Sequence, residues 1–310
     1  FSMLWGDVHP HVMGLFNQVF LLFLLVFAYT RWGNLTMRGR AVLCGLTALA
    51  LGSMPGINSW DVLVYAPATL VFGLLIWRRY GNFARDREKS WMVLATVPPL
   101  AIAAYLPFYF QLNSPGIGGV GIVTAPSAPA EFLLVHGFFL AVLVAACAPD
   151  IRKRPYLLLA AVPFVLAGYP AAAIAAVPLV YLVVRRRFSV ADTLAILGLL
   201  IIIATEFLYL KDNMGETYFR MNTVFKFYLP AWILMGTASS IVVGEWLRSA
   251  GVGRRVPEQV GRLLPVLAVV ILLAMPFAII IDFGYGSRTL DGAAYLVGSH
   301  PGDAAAIAFL

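Results

Sequence analysis

The sequence predicts an all-α, polytopic membrane protein of about ten transmembrane helices in a single bundle, on three observations. The 310 residues are 61% hydrophobic and only 12% charged, with a mean hydropathy of +0.86. A soluble domain carries about 25% charged residues. Apolar runs of about 20 residues recur along the chain, enough to cross a hydrocarbon core of about 30 Å. Lys and Arg gather in alternate connections between those runs.

The first run, 11–30, follows Pro10, which suits a first helical turn because its missing N–H would have no partner there. Arg31, Arg38 and Arg40 separate it from 41–55. The run 62–77 comes next, after "GINSWD", and ends in a basic connection holding Arg78, Arg79, Arg85, Arg87 and Lys89. Runs 91–110 and 131–148 lead to Arg152, Lys153 and Arg154. Segments 155–168 and 171–184 are each only about 14 residues, joined by "GYP". Both outer flanks are basic, so an even number of crossings lies between them. Two short tilted helices are favoured over a re-entrant hairpin. After Arg185, Arg186 and Arg187 come 190–207 and 228–245; Arg248, Arg254, Arg255 and Arg262 precede 263–281. If the runs alternate, 18 of the 22 Lys and Arg fall on one side. The excess of basic residues assigns that side as cytoplasmic and the protein to the cell membrane.

The net charge of +7 does not indicate nucleic acid, because the cations sit at span ends with no aromatic-interleaved basic face. Cys44 and Cys147 lie within apolar runs, lack metal-ligand spacing and read as core residues. No repeat or long linker divides the chain, so 1–310 reads as one transmembrane domain. Its beginning at Phe1 and its ending in "PGDAAAIAFL" suggest a fragment, with an N-terminal helix, part of a first loop and a C-terminal extension outside it.

Three polar motifs fall on the opposite, external side, where ionisable residues near membrane depth mark a functional site by default. "GDVHPHV" places Asp7, His9 and His11 within one turn at the outer end of the first helix. Asp7 offers a hard oxygen ligand or a general base. The histidines can bind a metal, hold a phosphate or shuttle a proton. A polar helix cap with interfacial histidines is the plainer reading. "GINSWD" interrupts two short spans; Asp61 either caps the next helix with Asn58 and Ser59 or faces a recess. Trp60 could be an interfacial anchor. "EFLYLKDNMGETYFRMNTVFKFY" mixes acids, cations and aromatics. Arg220 and Lys226 suit a phosphate or pyrophosphate, with Asn222 and Thr223 as neutral donors. An amphipathic interfacial segment with snorkelling cations is the alternative.

Other candidates are weaker. "GIGGVG" lacks a preceding strand and reads as a flexible external loop rather than a dinucleotide cradle. Glu131 reads as a helix-end acid and His136 as a buried or interfacial histidine. Arg288, in "DFGYGSRTLDG", could add a phosphate contact.

Together, "GDVHPHV", "NSWD" and "RMNTVFKFYLPAW" resemble the uncharacterised prokaryotic multi-pass membrane family Chlor_Arch_YYY, over about residues 1–310. More loosely, Asp7-Val8-His9-Pro10 is similar to the "DxHPP" element of protein O-mannosyltransferases and related GT-C glycosyltransferases. That resemblance implies a GT-C-like helical bundle that transfers a sugar from a polyprenyl-phosphate carrier on the external face. It places one acid in the first external loop and often another in the next, about where Asp61 falls. His11 stands where the second Pro of the element would be, and the helix and loop that would carry the principal acid precede this chain.

The leading expectation is therefore a polyprenyl-phosphate-dependent glycosyltransferase in the lipid bilayer. Asp7, His9 and Asp61 are its candidate catalytic residues. Arg220, Lys226, Asn222, His11 and Arg288 are candidates for phosphate binding. A divalent metal such as Mg or Mn, held by Asp7 and His9, is possible but has no full ligand set. A transporter or flippase for a lipid-linked or anionic solute is the alternative; it would call for inverted repeats and ionisable groups midway along spans. A structural or assembly protein would leave the external acids and cations unexplained.

Overall fold

The computed structural model describes residues 10–81, 89–112, 118–212, 218–249 and 296–309. Residues 8–250 form one compact unit; residues 1–7 and 251–310 form a second. Asp7, His9, Arg288 and the expected span 263–281 lie outside the described residues. In the second unit only two short helices are described, α11 (Leu296–Ser299) and α12 (Pro301–Phe309).

The first unit is helical, as the apolar runs require. Helix α1 (Pro10–Arg31) passes through a 3-10 turn, Trp32–Asn34, into α2 (Met37–Asn58). Thr36 caps α2 by accepting from Gly39 N at 3.2 Å. A second 3-10 turn, Ser59–Asp61, joins α2 to α3 (Val62–Tyr80). The next run is split at Tyr105 into α4 (Met92–Ala104) and α5 (Leu106–Gln111). Strand β1 (Val120–Ile122) precedes α6 (Pro129–Lys153). Segment 155–168 is not one regular helix: Pro155–Ala161 is 3-10, and only α7 (Val162–Leu166) is α-helical. Gly168, at φ +85°, makes the turn into α8 (Pro170–Arg185). Ser189 caps α9 (Val190–Phe207) by accepting from Asp192 N at 3.1 Å. Strand β2 (Leu208–Leu210) leads towards α10 (Met221–Ser249).

Five described helical stretches are long and apolar enough to cross a membrane: Pro10–Asn34, Met37–Tyr80, Pro129–Lys153, Val190–Phe207 and Met221–Ser249. Met37–Tyr80 runs through the Ser59–Asp61 turn. Met92–Ala104, Pro155–Leu166 and Pro170–Arg185 are shorter apolar helices. The chain is thus a helical membrane protein, with five candidate spanning stretches among the described residues where the sequence predicts about ten over the whole chain.

The core combines large side chains, among them Trp32, Phe72, Phe132 and Tyr181, with small ones that let helices approach closely. The inner face of α8 is a run of buried alanines, Ala171, Ala172, Ala173, Ala175 and Ala176, which lets neighbouring backbones approach closely. Gly198 does the same for α9, since a Cβ there would lie 2.5 Å from Met235 Cγ on α10. The outward faces carry exposed Phe16, Phe23, Leu49, Leu74, Leu134 and Phe138, as lipid contact demands. The bundle also carries an element the sequence did not suggest: β1 and β2 pair antiparallel, with Val120 opposite Leu210 and Ile122 opposite Leu208. This ribbon anchors the Gly-rich stretch that read as a loose loop.

The polar motifs and the arginines take opposite ends of their helices. Helix α1 runs from His11 to Arg31, α3 from Asp61 to Arg78 and Arg79, and α10 from Asn222 to Arg248.

Candidate functional site

Helical periodicity places His11, Gly14 and Gln18 on one face of α1, spaced by three and four residues. That face meets the Ser59–Asp61 turn and the start of α10. Asp61 is only 2% exposed there. Its backbone occupies the cap position of α3, yet its carboxylate makes no capping bond. Instead Gln18 Nε2 donates to Oδ2 at 2.7 Å and Asn58 Nδ2 donates to Oδ1 at 2.7 Å. Gln18 is fully buried, and its Oε1 accepts from the Tyr65 hydroxyl at 3.3 Å. A carboxylate offers about four acceptor positions, so two amide donors orient it without exhausting it.

Gly14 makes this approach possible. A Cβ at that position would lie 2.7 Å from Asp61 Oδ2 and 3.3 Å from Gln18 Nε2. Asn17, on the adjoining face, pins α1 to α2 by donating to Ala50 O at 2.9 Å and Ser53 Oγ at 3.1 Å.

Helix α10 supplies a nearby cation. Half-buried Lys226 lies close enough to Asp61 for the two charges to interact. Its Nζ sits 5.8 Å from the Phe225 ring, which meets the buried His11 ring edge-on at 4.4 Å. Phe227 meets Trp60 edge-on at 6.0 Å. His11, Asp61 and Lys226, from three separate sequence motifs, therefore form one cluster.

Arg220 and Asn222 stand elsewhere. The Arg220 guanidinium pairs with Glu206, and its Nε donates to Thr205 O at 2.9 Å. Arg220 Nη1 donates to Ser127 Oγ at 3.2 Å, and that hydroxyl in turn donates to Glu206 Oε1 at 2.9 Å. Ser127 N donates to Glu206 Oε2 at 2.9 Å, and the Tyr228 hydroxyl donates to Oε1 at 3.4 Å. The buried His136 ring packs edge-on against Tyr228 at 4.5 Å. Asn222 Nδ2 donates to Asp212 Oδ2 at 2.8 Å, and Thr223 Oγ1 accepts from Leu210 N at 3.0 Å. These bonds fix the first turns of α10, and with them the position of Lys226.

Beside the Asp61 cluster, α3, α9, α10 and the ribbon enclose a cavity of about 380 Å³. Leu63, Pro67, Leu200, Ala204 and Phe227 line it, with Thr205 and Thr223 among its few polar residues. Leu63 and Leu200 are about half exposed, so the cavity opens sideways on the lipid-facing surface. Phe227 borders both the cavity and Trp60.

Among the described residues, no three His, Cys, Asp or Glu side chains converge to hold a metal ion. Asp7 and His9, the candidate ligands, are outside those residues. Sequence reasoning missed Gln18, Gly14 and Tyr65. The available signal was phase: Gln18 is a polar residue seven positions after His11, two helical turns along the same face.

Fold and site together define a multi-pass helical membrane protein with a buried acid–cation cluster beside a laterally open apolar cavity. Residues 1–235 match the family described as Uncharacterized membrane protein (DUF2298), and the chain belongs to that family. No curated protein and no solved structure matches it.

Proposed function

We propose that the protein transfers a sugar from a polyprenyl-phosphate donor to an acceptor hydroxyl at the external face of the cell membrane, within a GT-C-like bundle of about ten spans. The observation that carries this reading is the cluster itself: an acid, Asp61, oriented by two amides, lies within electrostatic reach of a cation, Lys226, beside an apolar cavity bordered by exposed Leu63 and Leu200. A phosphate on a lipid tail needs that combination of a cation and adjacent apolar surface.

In this reading the Asp61 carboxylate, or Asp7 from its own motif, accepts the proton of the acceptor hydroxyl as the oxygen attacks the anomeric carbon. The sugar–phosphate C–O bond breaks, and the departing oxyanion is stabilised by Lys226 with His11, and by His9 and Arg288 if they join the cluster. General-base help of this kind is worth about 10²–10⁴-fold in rate, and cations aimed at developing charge add to it. Arg220 and Asn222 act by holding the start of α10. Trp60 and Phe227 offer the sugar an aromatic wall. A metal at Asp7 and His9 is not needed for these steps.

The second reading is a transporter or flippase for a lipid-linked or anionic solute. It draws on Glu206, Arg220 and His136, ionisable groups buried among α6, α9 and α10. Full-length protein in proteoliposomes with a polyprenyl-phosphate sugar decides between the two. The glycosyltransferase reading expects a new glycosidic product. Movement of intact donor between leaflets without a product supports the flippase and overturns it.

A further inference from the structure

The loop between α8 and α9 reads Arg186-Arg187-Phe188-Ser189, and two of its residues hold left-handed backbone: Arg186 at φ +50° and Phe188 at φ +47°. That conformation is costly for any L residue with a Cβ, and a bulky aromatic adopts it rarely. It persists only where surrounding contacts determine it, and it concentrates in functional segments. The contacts here are specific. The Tyr29 hydroxyl, from the end of α1, donates to Phe188 O at 3.1 Å. The Tyr80 hydroxyl, from the end of α3, donates to Tyr29 O at 3.1 Å. Three elements distant in sequence are thereby tied together at the arginine-bearing end.

The tie arranges cations. The Arg78 guanidinium carbon lies 5.7 Å from the Phe188 ring centroid, and that of Arg79 lies 4.8 Å from the Tyr29 ring centroid. Both are cation–π distances. A guanidinium laid against a ring is held in place while its edge N–H groups remain a planar fork that matches phosphate oxygens. Arg78, Arg79, Arg186 and Arg187 are all exposed. Arg185, one residue earlier, is committed elsewhere, its Nε donating to Asp192 Oδ2 at 3.0 Å. Trp77, 52% exposed beside Arg78, sets the depth of this end, because exposed Trp collects at the membrane–water boundary where lipid phosphates lie.

We propose that Arg78, Arg79, Arg186 and Arg187 form a docking surface for the phosphate groups of anionic lipid, shaped by the Tyr29–Phe188 tie. The surface goes beyond the sugar-transfer reading and does not depend on it.

A basic helix end that merely sets topology would attract anionic lipid in proportion to its charge, whatever its location, so the test holds charge constant. Purified full-length protein is analysed by native mass spectrometry with phosphatidylglycerol against phosphatidylcholine. Wild type is expected to retain phosphatidylglycerol preferentially. Arg186→Gln with Arg187→Gln should lower that retention about tenfold or more, from the attraction of two cations near a lipid surface. Arg152→Gln with Lys153→Gln removes two exposed cations from the end of α6, outside the tie, and should change retention less than about twofold. Tyr29→Phe keeps every charge but frees the loop from α1, and should weaken retention about threefold. No preference for phosphatidylglycerol in wild type, equal losses from the two charge-matched pairs, or wild-type retention by Tyr29→Phe overturns the proposal.

Discussion

Replacing Gln18 with Leu keeps the shape of the side chain and removes both of its hydrogen bonds. The bond to Asp61 is 2.7 Å long, buried and made to a carboxylate, and such bonds contribute about 1.5–3 kcal/mol. The longer bond from Tyr65, at 3.3 Å, is neutral and contributes about 0.5–1.5 kcal/mol. Gln18→Leu is therefore expected to cost about 3 kcal/mol of stability. In an Asp61→Asn background the acceptor is neutral, and the same substitution should cost about 1–2 kcal/mol. The double-mutant cycle then gives a coupling of about 1–2 kcal/mol, well above the ~0.3–0.5 kcal/mol scatter of independent sites. Unfolding free energies from denaturant titration in mixed micelles measure all four corners. Asn17→Leu is the control: it bonds Ala50 and Ser53 rather than Asp61, so it should add to Asp61→Asn without coupling. An additive Gln18–Asp61 cycle would refute the reasoning that Gln18 orients this carboxylate.

Three further outcomes follow from the same geometry. Gly14→Ala puts a methyl 2.7 Å from Asp61 Oδ2 and should lower stability by about 1–3 kcal/mol. Gly45→Ala meets nothing within 4 Å and should be neutral or gain about 0.5–1 kcal/mol; equal Tm shifts for the two would contradict the packing argument. Glu206→Gln leaves Arg220 buried without its charge partner and should cost about 3–5 kcal/mol. Glu206→Leu with Arg220→Met should recover much of that loss by the same Tm measurement. Ala204→Trp fills the apolar cavity from its exposed edge, so polyprenyl-phosphate binding should fall about tenfold or more while Tm holds; unchanged binding would remove the cavity from the account.

The helices were legible where hydrophobic runs were long: α1, α6 and α9 begin and end near the runs that predicted them. Legibility failed where local chemistry competed with the run. Pro163, lacking an N–H, interrupts the segment after α6, which is 3-10 over Pro155–Ala161 and α-helical only from Val162. The β1–β2 ribbon escaped notice because each strand is three residues long and its partner is distant in sequence. At the site, Asp61 stood out because it interrupts two apolar runs, and Lys226 because it runs against the basic asymmetry. Gln18 was hidden inside an apolar run, where only its phase relative to His11 marks it as inward. Arg220 looked like a phosphate ligand although its charge partner, Glu206, opens the same quoted stretch, because the fold of residues 206–220 that brings the two together is not written in their spacing, and Ser127, which completes the network, lies 93 residues before it.

The central claim is that Asp61 takes part in group transfer rather than merely capping a helix or filling a core. Turnover of a polyprenyl-phosphate sugar by full-length Asp61→Asn protein, with Asp7→Asn beside it, tests this most directly. Native-like Tm with turnover reduced about 10²–10⁴-fold is the outcome the account predicts for Asp61→Asn. Wild-type turnover by a folded Asp61→Asn protein would contradict it.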